Sequence, residues 1–236
     1  INSNINNIAQ NNSDKSIIVQ NNSDKGIIIQ NNLSKNNIIQ NNSDKNVTGS
    51  ISTNNENAKI CLLLNELDLD YDYSKIDNTD NVYVPLKYFK NKQYEEIIET
   101  LARNNNLYIY LPTVLKDNFR NFYFNDIDTI IKKYKIKGLI CSNLSCINYF
   151  SNQKGKLDLV ANYTFNVFNN YTINELAEIG IKRVMLSPEL DESNLKNIAN
   201  NSIIPTEVLV YGKLVLMNIG YCLLGSSNLC YPRCDM

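Results

Sequence analysis

The sequence predicts an α/β protein with a TIM-barrel-like (β/α) fold, either complete or incomplete. The prediction rests on short apolar runs rich in β-branched residues, on amphipathic helical segments between them, and on a spacing of about 20 to 30 residues. Such alternation gives βα units, whose strands form a parallel sheet. Seven such runs approach the eight strands of a barrel, although about 180 residues fall short of the typical ~250. A doubly wound open sheet is the alternative.

The seven predicted strands are mostly continuous apolar runs, as expected for strands that are covered on both faces. They are KICLLLNEL from Lys59, VYVPLKYF from Val82, LYIYLPTVL from Leu107, GLICSNL from Gly138, LDLVANY from Leu157, RVMLSPEL from Arg183 and EVLVYGKLVLM from Glu207. No glycine-rich nucleotide-binding motif follows any of them, so the sequence does not support the nucleotide-binding version of an open sheet.

Apolar residues at helical spacing predict the helices between these strands. The two clearest stripes are Ile97, Ile98 and Leu101, and Ile127, Ile130, Ile131 and Tyr134. Thr172 and Glu175 have the spacing of a capping box, which predicts the start of a third helix. Gly180 is placed to end that helix just before the next strand.

Residues 1–57 are predicted to be a disordered linker, and residues 58–236 to form the barrel domain. The linker contains an Asn-rich repeat with a period of ten, in which QNNSDK-like units precede short β-branched stretches. Such low complexity is typical of a tolerant linker. A small solenoid that stacks the apolar triplets is the alternative. The linker interpretation predicts that residues 1–57 are dispensable to the folded domain.

Composition excludes several classes of function. The chain has no histidine, which removes Ser-His-Asp and Cys-His catalysis and His-ligated zinc. Its net charge is −1, from 23 basic and 24 acidic residues, so bulk electrostatics neither favours nor excludes nucleic acid. No apolar run is long enough to predict a membrane span, and the first residues lack the features of a signal peptide. A cytoplasmic location, with reduced or metal-bound thiols, is therefore expected.

Polar residues follow the predicted strands, at the end where β/α proteins bind their ligands. They are Asn65, Glu66, Lys87, Thr113, Ser142, Asn143, Asn162, Tyr163, Ser187, Glu189, Tyr211 and Lys213. Glu66 and Glu189 could act as a carboxylate pair in acid–base catalysis, and Tyr211 and Lys213 are further catalytic candidates. The alternative is that these residues are helix caps and loop residues.

The six cysteines fall into two groups. Cys61 and Cys141 lie inside apolar strands and Cys146 follows one, so all three are expected to be structural. The remaining three, Cys222, Cys230 and Cys234, crowd into the last residues with C-x7-C-x3-C spacing. A glycine- and proline-containing loop of this kind can surround a metal centre. Iron–sulfur clusters tolerate such spacing, whereas zinc usually requires closely paired cysteines. Three free thiols in a loop are the alternative, and a disulfide is less favoured without an export signal.

The last residues also carry a family resemblance. The segment EVLVYGKLVLMNIGYCLLGSSNLCYPRC resembles peptidase family U32, the collagenase-like peptidases, and specifically the C-terminal barrel unit of its long members. The matching features are Tyr211-Gly212-Lys213, Met217, Tyr221-Cys222, Cys230, Cys234 and the strand end LSPEL at 186–190. The resemblance extends over residues 59–236.

The resemblance implies a barrel that binds a [4Fe-4S] cluster through Cys222, Cys230 and Cys234, with a fourth ligand that the sequence does not identify. It implies a peptidase acting on a peptide or protein. One alternative is an iron–sulfur protein that hydroxylates or modifies RNA or a small molecule. Another is a non-catalytic barrel that supports other domains of a longer chain, of which this sequence would be a fragment.

Overall fold

The computed structural model describes residues 25–31, 59–76, 79–115, 121, 124–150, 156–215 and 217–218. Within them, eight strands close into one barrel in chain order. The strands are β1 Lys25–Asn31, β2 Lys59–Leu64, β3 Asn81–Pro85, β4 Asn106–Tyr110, β5 Gly138–Cys141, β6 Asp158–Ala161, β7 Arg183–Met185 and β8 Thr206–Tyr211. The α/β barrel prediction is confirmed.

The neighbouring strands from β2 to β8 pair in parallel. They correspond to the seven predicted runs, and the barrel closes on itself, so the alternative of an open doubly wound sheet is wrong. The run from Val82 was predicted to stay extended through Phe89. Instead β3 ends at Pro85, because proline has no N–H to donate to a continuing ladder.

Helices connect the parallel strands on the outside of the barrel. They are α1 Leu86–Phe89, α2 Glu95–Asn104, α3 Ile127–Tyr134, α4 Leu144–Tyr149, α5 Asn170–Glu178 and α6 Glu192–Asn201, with 3₁₀ turns at Tyr73–Lys75, Lys92–Tyr94 and Tyr163–Phe165. Both predicted apolar stripes lie on helices, α2 and α3. Among the described helices, none combines the length and the apolarity that crossing a bilayer requires.

The start of α5 differs from the capping-box prediction. Thr172 and Glu175 both lie inside the helix, and Asn169 is its N-cap, accepting a hydrogen bond from the main-chain N–H of Thr172. An asparagine side chain is short enough to reach a free N–H of the first turn. Gly180, with a φ of 100°, follows the helix as predicted, since this conformation suits glycine.

The strand β1 corrects the linker prediction for residues 25–31. It runs antiparallel to both of its neighbours, β2 and β8. Seven parallel strands alone would leave β2 and β8 with unpaired main-chain groups on their outer edges, and the Ile-rich stretch of the repeat supplies the missing partner. Nothing else of residues 1–57 is described, and the boundary at residue 58 stays a prediction.

Two apolar layers lie on the two faces of the sheet. The larger lies between the strands and the helices, and includes Ile98, Leu107 and Leu139. The smaller fills the barrel, with Tyr83, Tyr108, Ile140, Val160 and Met185 among its members. Because side chains alternate between the faces of a strand, the barrel interior receives every second residue.

Candidate functional site at the carboxyl end of the barrel

A pocket of about 70 Å³ opens at the carboxyl ends of the parallel strands. Leu63, Met185 and Leu209 give it an apolar wall, and Asn65, Thr113 and Lys213 lie in the loops that follow β2, β4 and β8. Its complete lining is Leu63, Asn65, Tyr110, Thr113, Tyr163, Met185, Leu186, Leu209, Lys213 and Val215. Strand ends and loops converge here because all seven parallel strands run in one direction.

One side of the pocket is fixed by a buried hydrogen-bond network. The amide of Asn162, which is fully buried, donates to the Tyr110 hydroxyl at 2.6 Å and to Ser142 Oγ at 3.1 Å. Ser142 Oγ in turn donates to the main-chain carbonyl of Leu111 at 3.2 Å. These bonds join the loops after β4, β5 and β6, so Tyr110 is held in one position at the pocket wall.

Both tyrosines of the pocket remain protonated near neutral pH. Burial raises the pKa of Tyr110, and the neighbouring Tyr163 raises it further. Burial also raises the pKa of Tyr163, although the Tyr110 hydroxyl and the main chain of Val215 bond to it. Neutral phenols both donate and accept hydrogen bonds, so this wall can bind a polar group without a change in its own charge.

The pocket has the chemistry of a binding site for a partly apolar molecule. Its apolar wall can accept an aliphatic or aromatic group, and the phenols, Asn65 and Thr113 can bond to an amide or a carbonyl. Lys213 brings a positive charge to the rim. An ammonium and phenol hydroxyls are groups that can stabilise negative charge developing on a carbonyl oxygen.

The structure brings several of the sequence-predicted polar residues together. Four of them, Asn65, Thr113, Tyr163 and Lys213, line the pocket. Ser142 and Asn162 lie behind its wall and bond to each other. Asn143 instead caps α4, accepting from the N–H of Cys146 and donating to the carbonyl of Thr113, as the helix-cap alternative predicted.

Other predicted residues lie away from the lining. Glu66, Lys87, Glu189 and Tyr211 are exposed, and Ser187 is buried against the loop that contains Glu189. Glu66 follows β2 and Glu189 follows β7, and neither lines the pocket. A catalytic role for Glu66, Glu189 or Tyr211 stays a prediction.

Tyr110 was not among the residues predicted from the sequence, although a signal for it was present. In the run LYIYLP, Tyr108 and Tyr110 are two residues apart, and side chains at this spacing on a strand share one face. Both contribute to the inner layer of the barrel. Two tyrosines alternating with aliphatic residues in a predicted barrel strand could therefore have indicated a polar interior.

A second polar cluster, also missed, fills the opposite end of the barrel interior. Glu207 is fully buried, and its Oε1 accepts from Arg183 Nε at 2.9 Å and from the Tyr83 hydroxyl at 2.6 Å. The thiol of Cys61 lies 3.9 Å from the same oxygen. Four strands, β2, β3, β7 and β8, thus converge on one carboxylate oxygen.

Arg183 joins this cluster to Tyr108 and Asp158. Its Nη1 donates to the Tyr108 hydroxyl at 3.1 Å, which donates to Asp158 at 3.0 Å. The guanidinium carbon also lies 4.8 Å from the centre of the Tyr108 ring. Two buried atoms of the same ion pair, Arg183 Nη2 and Glu207 Oε2, have no hydrogen-bond partner among the described residues.

Burial dominates the electrostatics of this second cluster. It raises the pKa of Glu207, and the guanidinium of Arg183 offsets that only in part. It also raises the pKa of the Cys61 thiol to about 12, with the charge of Glu207 acting in the same direction. Cys61 is therefore a protonated, unreactive thiol at neutral pH.

The described residues do not provide a cluster site. Cys222, Cys230 and Cys234 lie outside them, so the predicted ligand set is not described. Within the described ranges, no three Cys, Asp or Glu side chains are grouped to hold a metal ion. Cys61 lies inside the barrel, whereas Cys141 and Cys146 are buried in the outer layer. The three described thiols therefore do not fit a cluster.

A closed β/α barrel with a polar-rimmed pocket at the carboxyl ends of its strands defines a TIM-barrel-like protein. A family model described as "Peptidase family U32" matches residues 81–231. The chain therefore belongs to peptidase family U32. The match covers the strands from β3 to β8 and includes Cys222 and Cys230, but not Cys234. Searches of curated proteins and of solved structures found no match.

Proposed function

We propose that the chain is a collagenase-like peptidase of family U32, or the barrel unit of one, which binds a peptide or protein in the pocket at the carboxyl end. The observation that carries the proposal is the coincidence of the family match with that pocket, since the matched residues 81–231 include most of its lining. The pocket also lies where barrel enzymes bind their substrates.

The proposed binding mode follows from the lining. An apolar side chain of the peptide packs against Leu63, Met185 and Leu209, while the main-chain carbonyl next to it faces Tyr163 and Lys213. Hydrogen bonds from these two residues polarise that carbonyl and stabilise the oxyanion of a tetrahedral intermediate. The proposed attacking group is a water molecule, and the C–N bond breaks as the leaving amine is protonated. Glu66 and Glu189, which are exposed and follow β2 and β7 outside the pocket lining, are the proposed base that takes the proton of the water and the acid that protonates the amine.

The test uses fluorescein-labelled gelatin and casein, with binding measured by fluorescence anisotropy and cleavage by the release of small fragments. Removing one hydrogen bond from a bound peptide costs about 1 kcal/mol, so Tyr163→Phe should weaken binding roughly fivefold. Lys213→Ala should slow cleavage more than it weakens binding, because oxyanion contacts strengthen in the transition state.

Matched control variants are Tyr171→Phe and Lys182→Ala, which change exposed residues away from the pocket. Both should behave like the unmodified chain. Gelatin and casein binding that is equal in all five proteins would contradict the pocket as the site. Binding without cleavage would instead favour the supporting barrel. An RNA oligonucleotide that binds more tightly than the proteins, and loses affinity in Lys213→Ala, would favour the RNA-modifying alternative.

The iron–sulfur centre also stays a proposal. It is supported by the spacing of Cys222, Cys230 and Cys234 and by the resemblance to cluster-binding relatives. If a cluster is bound, it would supply redox or Lewis-acid chemistry. The peptide-binding proposal does not depend on it, because the pocket is lined by residues of the strands and their following loops.

A further inference from the structure

The hydrogen-bond network beside the pocket has a fixed direction. The side-chain carbonyl of Asn162 accepts from the main-chain N–H of Tyr163 at 2.8 Å, which leaves its NH2 group to bond on the other side. An amide NH2 group can only donate, so it donates to the Tyr110 hydroxyl at 2.6 Å and to Ser142 Oγ at 3.1 Å. Neither bond can reverse while Asn162 keeps this orientation.

The direction continues from Tyr110 to Tyr163. Because the Tyr110 hydroxyl accepts from Asn162, its own hydrogen is available for the Tyr163 hydroxyl, to which it is bonded. Burial raises the pKa of both phenols, and the bond between them raises that of Tyr110 further but partly offsets the rise in Tyr163. A donated hydrogen bond favours the charged form of the phenol that accepts it, so both effects agree with donation from Tyr110 to Tyr163.

The Tyr163 hydroxyl accepts a second hydrogen bond, from the main chain of Val215. This bond also offsets the rise in pKa that burial causes, as a donating N–H does and an accepting carbonyl does not. A hydroxyl oxygen has two lone pairs and one hydrogen. Since Tyr110 and Val215 donate to the lone pairs, and all three residues line the pocket, the hydrogen is what Tyr163 offers to a ligand there.

We propose that Asn162 is a positioning residue that makes Tyr163 a hydrogen-bond donor toward the pocket, so that the pocket selects ligands with a carbonyl oxygen next to an apolar group. This inference rests on the proposed function and sharpens it, because it determines which main-chain group of a bound peptide faces Tyr163. A peptide N–H in that place would meet a hydroxyl whose lone pairs are already used, and a buried donor without a partner is costly.

The variant Asn162→Asp should reverse the direction of the network with almost no change in shape. An ionised carboxylate can only accept, so the new side chain keeps the bond from the N–H of Tyr163 and accepts from the hydroxyls of Tyr110 and Ser142. Tyr110 then gives its hydrogen to the carboxylate and accepts from Tyr163. With its hydrogen used, Tyr163 offers a lone pair to the pocket, which should then select ligands that donate.

The test compares two neutral bicyclic probes of similar shape. One is 1-indanone, which has a carbonyl and no N–H, and the other is indole, which has an N–H and no carbonyl. Their dissociation constants are measured by ligand-observed NMR with the full chain at pH 8. One hydrogen bond changes affinity roughly fivefold, so the unmodified chain should bind 1-indanone about fivefold more tightly than indole. In Asn162→Asp the preference should invert.

The matched control is Asn169→Asp, the same chemical change at the exposed N-cap of α5. Aspartate caps a helix as well as asparagine does, so this variant should keep the preference for 1-indanone. If Asn162→Asp weakened both probes equally, its role would be structural only and the proposal would be overturned. An unmodified chain that binds indole as tightly as 1-indanone, or that binds neither probe, would overturn it as well.

Tyr110→Phe is the second variant, and it decides the matter if the buried carboxylate prevents folding. Without the Tyr110 hydroxyl, Tyr163 is no longer held as a donor, so the preference for 1-indanone should fall from about fivefold to about even. An unchanged preference would overturn the proposal. If gelatin and casein fail to bind but the probes behave as expected, only the proposed function is contradicted. If gelatin binds but the probes do not differ, only this inference is contradicted.

Discussion

The two ends of the barrel interior are built by the same strands and have opposite chemistry. At the amino end, Arg183 and Glu207 form a buried ion pair within a network of tyrosines. At the carboxyl end, Met185 and Leu209 line an apolar pocket. Each of these residues lies two positions from its counterpart on β7 or β8, so a single strand contributes one side chain to each end.

The difference shows that one barrel can place the residues that stabilise it at one end and the residues of its pocket at the other. Arg183 and Glu207 of the amino-end network are buried. Loss of either partner is costly, because a buried charge without its counter-ion loses its solvation. The pocket at the carboxyl end is lined by groups that stay uncharged near neutral pH, apart from Lys213 at the rim. A substitution of Arg183 or Glu207 should therefore lower the stability of the barrel, whereas one of Met185 or Leu209, two residues further along the same strand, should weaken binding.

The largest effect is expected for Arg183→Met. Without the guanidinium, the buried Glu207 loses its counter-ion, and breaking such a pair costs about 3–5 kcal/mol in the free energy of unfolding. Urea unfolding followed by circular dichroism measures it, with Met185→Leu as the control on the same strand. The double variant Arg183→Met, Glu207→Leu should recover part of the loss, and a simple sum of the two single effects would show that the residues act independently.

The second effect concerns Gly138, the first residue of β5. A Cβ at this position would lie 2.2 Å from the carbonyl oxygen of Asp158 and 2.5 Å from the Tyr108 ring. Gly138→Ala should therefore displace Tyr108, which bonds to Arg183, and destabilise the barrel by roughly 1–3 kcal/mol. Thermal unfolding measures the loss. Unchanged stability would mean that β5 and β6 can separate without disturbing the amino-end network.

A smaller effect is expected for Tyr110→Phe at the other end. Loss of the hydroxyl leaves the amide of Asn162 with one partner fewer, which costs about 1 kcal/mol of stability. The affinity for gelatin, measured by anisotropy, should fall as in Tyr163→Phe.

The affinity for gelatin should not depend on pH between about pH 6 and 9. Burial raises the pKa of both Tyr110 and Tyr163, so both phenols stay protonated over this range. A rise or fall within this range would show that another group titrates.

The smallest effect on the stability of the barrel is expected for serine substitutions of Cys222, Cys230 and Cys234. These variants should change the free energy of unfolding of the barrel by no more than about 0.5 kcal/mol, while iron and sulfide bound after anaerobic reconstitution should fall. Equal and negligible iron in every protein would leave these cysteines without a metal role.

Much of the fold was predictable from the sequence, because each parallel strand lies in an apolar run that is long enough to be recognised by itself. The strand at residues 25–31 was not, because a repeat rich in Asn resembles a linker until the two edges that it joins are known. The pocket was predictable in part, from Thr113, Tyr163 and Lys213 after their strands. Arg183 and Glu207 were missed, because a charged residue at a strand start usually faces water and its partner here lies on another strand.

The antiparallel closing strand also constrains the order of events during synthesis. Residues 25–31 leave the ribosome early, but one of their two partners, β8, is made only near the end of the described chain. Until then this segment can pair with β2 alone, and a two-stranded ribbon is marginal in water. The barrel can close only when nearly all of the chain is available, so a ribosome-stalling experiment would find the final protection from proteases appearing late and in one step.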